Sequence, residues 1–238
     1  MAVRRPWNGG VYQFDVWRKE GRSMATVNQH TDIWNTAGVA ALPGHVSEEQ
    51  FVAWAQANPS VRAEWTEGET VVMSPAGRDH NSLQIWLSYL LLTYLDHRPI
   101  GEILGPEFMV RLLGGRSRRI PDLLFVAKSN SHLVRETHFD GSPDLVVEIV
   151  SADSQSRDYR EKYLEYEAAG VREFWIVDPL SHRIEAYRLG DDGRFVLIDE
   201  ADGKIASSVL DGFYLRNEWP WATPRPTALS LLKEMGIV

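Results

Sequence analysis

The chain has 238 residues, 44% of them hydrophobic and 24% charged, an ordinary composition for a globular enzyme and a length that allows one sizeable core without demanding two domains. It contains no cysteine, which excludes a disulfide scaffold, thiol catalysis and a Cys-ligated zinc centre, and which is consistent with a cytoplasmic location. A formal net charge of −8 argues against a protein that coats nucleic acid by bulk electrostatics, although local basic clusters can still engage phosphates.

Residues 1–42 show no sustained period and are expected to form an N-terminal extension. Arg4 and Arg5 are followed by no apolar core, so a secretory signal is not expected. Ser47 and Gln50 form a capping-box pattern before FVAWAQAN, a helix stopped by Asn58 and Pro59. A strand is expected over 69–73. From 79 to 97, Leu83, Trp86, Leu87, Leu90, Leu91 and Tyr94 recur at helical spacing and predict the main core helix. Its apolar run, 83–95, is interrupted by Gln84, Ser88 and Thr93 and is too short to span a bilayer.

Strands are expected over 106–113 and 119–127, with Gly114 and Gly115 turning the hairpin between them. A Ser-, Asn- and His-rich loop covers 128–141. A strand over 144–150 is followed by a helix over 154–169, capped by Gly170. Then come VREFWIVDP, RIEAYRL and RFVLI, read as strands, the last two joined by a Gly190–Gly193 turn, and PTALSLLKEMG, read as a short helix. This order predicts an α/β or α+β fold, a mixed β-sheet flanked by helices. The domain is placed at 43–215, with 216–238 as a C-terminal tail.

Two apolar segments carry the chemistry. RIPDLLFVA holds Asp122, and SPDLVVEIVSADS holds Asp144 and Glu148. Strand alternation puts Asp144 and Glu148 on one face, and if the two strands are neighbours Asp122 can approach Glu148. Two carboxylates about 4 Å apart repel by roughly 4 kcal/mol at an effective dielectric near 20. A hard cation such as Mg²⁺ or Mn²⁺ relieves that repulsion and can activate a bound water. On the following helix, Tyr159, Tyr163 and Tyr166 form an inward stripe that includes Lys162. A lysine on that side needs a buried partner, and the acidic strand supplies one.

RIPDLLF, SPDLVVEIVS and DYREKYLEYEAAGVREFWIVDP together resemble the Uma2 (DUF820) family of the PD-(D/E)xK superfamily. The resemblance implies a restriction-endonuclease-like fold and a Mg²⁺-dependent endonuclease acting on DNA. It also implies metal ligation by Asp122, Glu148 and the backbone carbonyl of Ile149, with Lys162 orienting or activating the attacking water. Val150 stands where the superfamily motif carries lysine, and Lys162 on the next helix takes that role. His80, Glu69 and Asp144 are candidates for supporting or substrate contacts. Arg116, Arg118 and Arg119 are candidate nucleic-acid contacts, although the ordinary reading of such a charge run is a solvated hairpin tip. Two alternatives are a non-catalytic nucleic-acid-binding or assembly module on the same fold, and a metal-dependent hydrolase of a small phosphorylated substrate. Fold-level analogy favours a homodimer with no membrane partner. Trp54, Trp86 and Trp175 are expected in the core, and Trp7, Trp17, Trp219 and Trp221 at a subunit interface.

Overall fold

The computed structural model describes residues 45–151 and 157–238; the expected N-terminal extension, with Trp7 and Trp17, lies outside them. Helix α1, Glu48–Ala57, begins as the capping box dictates: Ser47 Oγ accepts from the Gln50 N–H, and the Gln50 side chain accepts from the Ser47 N–H. Strands β1 (Ala63–Thr66) and β2 (Glu69–Val72) form a hairpin. Glu67 and Gly68 turn it, both at positive φ, as a two-residue turn with the right twist requires. Helix α2, Arg78–His97, buries Leu83, Leu87, Leu90, Leu91 and Tyr94, the stripe its periodicity predicts.

The expected strand over 119–127 is two strands in different sheets. β5 (Ser117–Arg119) belongs to a five-stranded sheet of order β2-β1-β5-β4-β7, where β4 is Met109–Leu112 and β7 is His138–Asp140. β6 (Leu123–Ala127) belongs to a six-stranded mixed sheet of order β11-β10-β9-β8-β6-β3. In that sheet β3 is Gly101–Leu104, β8 Leu145–Ile149, β9 Glu173–Asp178, β10 Arg183–Leu189 and β11 Phe195–Leu197. Pro121 can donate nothing to a ladder, so the chain leaves one sheet at Arg119 and enters the next at Leu123. Asp122 sits at that crossing.

Alternation along β6 and β8 splits their side chains between two cores. Leu123, Phe125, Leu145, Val147 and Ile149 pack with α2, while Leu124, Val126, Val146 and Val150 pack with Tyr166 and with Val110, Leu112 and Phe139 of the five-stranded sheet. Both faces are therefore covered, which explains why these strands read as continuous apolar runs. The segment expected as a tail closes the first core. A short pair, β12 (Ile205–Ala206) with β13 (Tyr214–Leu215), leads to Trp219 and to helix α4, Ala228–Glu234, whose Ala228, Leu231 and Leu232 are buried. Trp219 is thus a core residue, a correction to the interface role read from sequence. Trp54 and Trp175 are buried and Trp86 is half-buried against the first core, as expected.

A candidate active site at the sheet end

β6 and β8 run antiparallel with Leu123 paired to Val147, so Asp122 lies across from Glu148, one step beyond that pair. Asp122 is only 6% exposed, and donors hold it from several sides. The Ile149 N–H donates to its Oδ2 at 2.7 Å, His80 Nε2 donates to the same oxygen at 3.1 Å, and Gln84 Nε2 donates to Oδ1 at 3.1 Å. His80 and Gln84 are one turn apart on α2, which puts both over the same carboxylate. His80 and Gln84 thus both contact Asp122.

Glu148 is 2% exposed, and Lys162 and Tyr166 reach it from the other face of the sheet. Residues Arg157–Lys162 form a π-helical turn that runs into α3, Tyr163–Ala169, which ends at Gly170 in the left-handed conformation. This element supplies Lys162, whose Nζ lies 2.8 Å from Glu148 Oε2, and Tyr166, whose hydroxyl donates to Glu148 Oε1 at 2.7 Å. Lys162 is 1% exposed, so the inward stripe read from the tyrosines is real, and Arg160 and Glu161 are exposed. Burial, reinforced by the Glu148 carboxylate, raises the Tyr166 pKa well above its ordinary range. The phenol therefore stays a donor at any working pH.

Glu64 on β1 joins this cluster. It is fully buried. Its Oε1 lies 3.5 Å from Lys162 Nζ and accepts from the Ile120 N–H at 3.1 Å, and its Oε2 accepts from Arg119 at 3.1 Å. Arg119 also donates from Nε to Glu165 Oε2 at 2.9 Å. Burial alone would lower the Arg119 pKa, but the two carboxylates win and raise it. The guanidinium is a permanent charge that ties the β5 end to α3.

These contacts correct the reading of the basic run. Arg119 is 4% and Arg118 8% exposed, and Arg118 donates to Glu48 at 2.8 Å. Neither can meet a phosphate, because each is buried and already neutralised by a carboxylate. Arg116 is exposed and pairs with Glu67. Glu69 is exposed on β2. Asp144 is buried at the opposite end of β8, about 13 Å from Glu148 at ordinary strand rise. There it accepts from the Ala127 N–H, Asn130 and Arg172, and so it anchors the strand start.

Among the described residues, no three His, Asp or Glu side chains converge to hold an ion alone. Asp122 and Glu148 nevertheless offer hard carboxylate oxygens at facing strand positions, and Asp122 Oδ1 keeps a lone pair beyond the one Gln84 uses. Mg²⁺ is commonly held by one or two carboxylates and several waters. The donor set fits that ion, with most of its shell left to water.

Burial raises the Glu165 pKa against the pull of Arg119, and Glu165 Oε1 has no partner among the described residues. A raised carboxyl pKa keeps the proton on longer in the folded state, so this group favours folding below about 4.5 and that contribution is lost as pH rises through the folded pKa. Glu165→Gln removes the titration. The stability of the native chain relative to Glu165→Gln, followed by urea unfolding, is expected to fall as pH rises from 4.5 toward neutrality, and a flat difference would count against the assignment.

The arrangement is that of a restriction-endonuclease-like α+β protein: a mixed sheet flanked by helices, with buried acids and a lysine gathered at one sheet end. The profile of the Uma2 family, described as "Putative restriction endonuclease", matches residues 48–217, and the chain belongs to that family. It is 22% identical over 155 residues to the uncharacterized protein slr1290 of Synechocystis sp. (strain ATCC 27184 / PCC 6803 / Kazusa), covering 65% of this chain and 80% of that one. A second uncharacterized protein of that strain, sll1609, is 23% identical over 139 residues, covering 58% of this chain and 78% of the other. The crystal structure of a "putative nuclease belonging to DUF820" from Anabaena variabilis ATCC 29413 superposes with a TM-score of 0.60 at 17% identity, over 73% of this chain and 96% of that chain. That likeness is one of fold. Among the described residues no helix is long and apolar enough to cross a membrane.

Proposed function

We propose that the protein is a Mg²⁺- or Mn²⁺-dependent endonuclease that hydrolyses DNA phosphodiester bonds at the Asp122, Glu148 and Lys162 cluster. One observation carries this reading: a lysine from a separate element lies 2.8 Å from Glu148, with both groups buried. Such a pair costs desolvation that an apolar pair of the same volume would avoid, which supports a chemical role for it. Asp122 and Glu148, with the Ile149 carbonyl, are the groups that would hold the ion. When bound, it would polarise a phosphoryl oxygen and lower the pKa of a water.

The remaining work falls to the chain itself. His80, Gln84 and the Ile149 N–H fix Asp122 against rotation. Tyr166 holds one oxygen of Glu148, leaving the other directed at Lys162. The Lys162 ammonium would supply positive charge toward a phosphoryl group that gains negative charge. In the same reading the protein acts in the cytoplasm as a two-fold dimer, with one centre per strand.

The test is incubation of the purified full chain with supercoiled plasmid, together with calorimetric titration of Mg²⁺ and Mn²⁺. Nicking that requires the ion and stops with EDTA is expected, along with ion binding that Asp122→Asn weakens. Both Glu148 oxygens are already engaged, Oε1 by Tyr166 and Oε2 by Lys162, which favours a second reading, a nucleic-acid-binding module without turnover. DNA binding with no ion binding and no nicking would select it.

A further inference from the structure

A cleft of about 400 Å³ opens beside this site and takes no part in the chemistry above. Its walls are the first turn of α2, the β9–β10 turn and the segment 220–225. Two chain connections tie it to the cluster. Arg78 and Asp79 immediately precede His80, and Pro179 follows Asp178, whose Oδ2 accepts from Tyr159 on the π-helical turn that carries Lys162. The volume is on the scale of small-ligand sites, roughly 300–1,000 Å³. It suits one nucleotide unit rather than a paired helix.

The lining is chemically uneven. Trp221 and His182 stack with ring centroids 5.1 Å apart and planes 11° from parallel. The Trp221 ring is partly buried against the first core, and its indole N–H has no acceptor among the described residues. His182 stands at φ 54°, a conformation that costs free energy for a residue of its kind. Asn217 bridges the strain: its side chain donates to the His182 carbonyl at 3.1 Å and accepts from the Ile184 N–H at 2.9 Å.

Two arginines, Arg78 and Arg225, line the same cleft, against a chain net charge of −8. Arg225 is held in place by donating to the Pro220 carbonyl at 2.6 Å and to Ser82 Oγ at 2.7 Å. Arg78 is exposed and makes no ion pair among the described residues. Helix α2 opens at Gly77 without a side-chain cap, so the N–H groups of its first turn are left for an anion. Asp79 supplies the only carboxylate among the residues that line the cleft.

We propose that this cleft is a nucleotide subsite, which takes an unpaired base of the strand flanking the scissile phosphate; the proposal rests on the nuclease reading of the neighbouring site. The base stacks on the Trp221–His182 pair, and the adjoining phosphate is received by Arg78 and the open first turn of α2. Stacking on a side chain needs a base that is not already stacked in a duplex. The site therefore discriminates in favour of single strands, and a duplex gains from it only by unstacking a base.

Fluorescence anisotropy with a labelled single strand of about 12 nucleotides, and with the duplex of the same sequence, tests this on the full chain in EDTA. Trp221→Leu is expected to weaken single-strand binding at least about fivefold, Trp221→Phe to retain most of the affinity, and duplex binding to change less than about twofold. Arg78→Ala, at an exposed side chain that carries no folding load, is expected to lower the salt slope of single-strand binding by about one. The subsite is overturned if Trp221→Leu and Arg78→Ala bind single strands as the native chain does, or if single-strand and duplex affinities fall together. A native chain with no affinity for either oligonucleotide would remove the nuclease reading as well. Native binding that the variants leave untouched removes the subsite alone.

Discussion

Lys162→Met is expected to reduce ion-dependent nicking about 10²–10³-fold, the scale of losing one preorganised electrostatic group, and to destabilise the fold by about 3–5 kcal/mol. Both effects have one origin. The ammonium is 1% exposed and lies 2.8 Å from Glu148 and 3.5 Å from Glu64, and methionine keeps the stem but removes the charge. Two buried carboxylates then face each other with less compensation, and one must protonate or the region must open to water. Because stability and activity fall together, Lys162→Met alone cannot separate structure from chemistry. Adding Glu64→Gln removes one of the surplus charges while keeping an oxygen for the Ile120 N–H. The double variant is expected to recover much of the urea midpoint and none of the nicking. Recovery of both would make Lys162 a structural counter-ion and nothing more.

Much of this site was legible because its signals are local. A proline followed by aspartate at the start of an apolar strand, a glutamate inside LVVEIV, and a lysine in register with three tyrosines each follow from residues within a few positions. The capping box at Ser47, the stripe of α2 and the turn at Gly190 to Gly193 belong to the same class. What could not be read depends on distant partners. Glu64 acquires its meaning from Arg119 and Lys162, which arrive from other elements, and in AEWT nothing alternates because Ala63, Glu64 and Trp65 are all buried. Tyr166 was assigned to the inward stripe, yet nothing in its spacing says that its hydroxyl meets Glu148.

The same physics explains the split of RIPDLLFVA. As a string it reads as one strand, because Ile, Leu, Phe and Val suit a pleated, buried surface on either side of the proline. Pro121 does not abolish the extended conformation; it removes the ladder bond that would keep both halves in one sheet. The consequence is functional: the chain must turn between sheets where Asp122 stands, and the carboxylate takes the Ile149 N–H at 2.7 Å. A position that is poor for a strand is thereby good for a ligand.

Arg119→Met is the second large effect, expected to cost about 3–5 kcal/mol in urea unfolding. From sequence, Arg119 belongs to a basic run whose ordinary state is solvated, and a solvated arginine replaced by methionine changes stability by less than about 0.5 kcal/mol. In the structure it is 4% exposed, donates to Glu64 at 3.1 Å and also to Glu165, and the two carboxylates hold its pKa up. Its removal strands both acids in a region that excludes water. Glu165→Leu in the Arg119→Met background takes away one stranded charge and fills the space with apolar atoms, so the double variant is expected to regain about 1–3 kcal/mol, the coupling typical of contacting residues. The salt dependence of DNA binding separates the two states of this arginine a second time. A guanidinium on a phosphate contributes about one to the slope of log affinity against log salt, whereas one locked between Glu64 and Glu165 contributes nothing. Arg119→Met is therefore expected to leave that slope unchanged while lowering the unfolding midpoint, and the reverse pattern would return Arg119 to the surface.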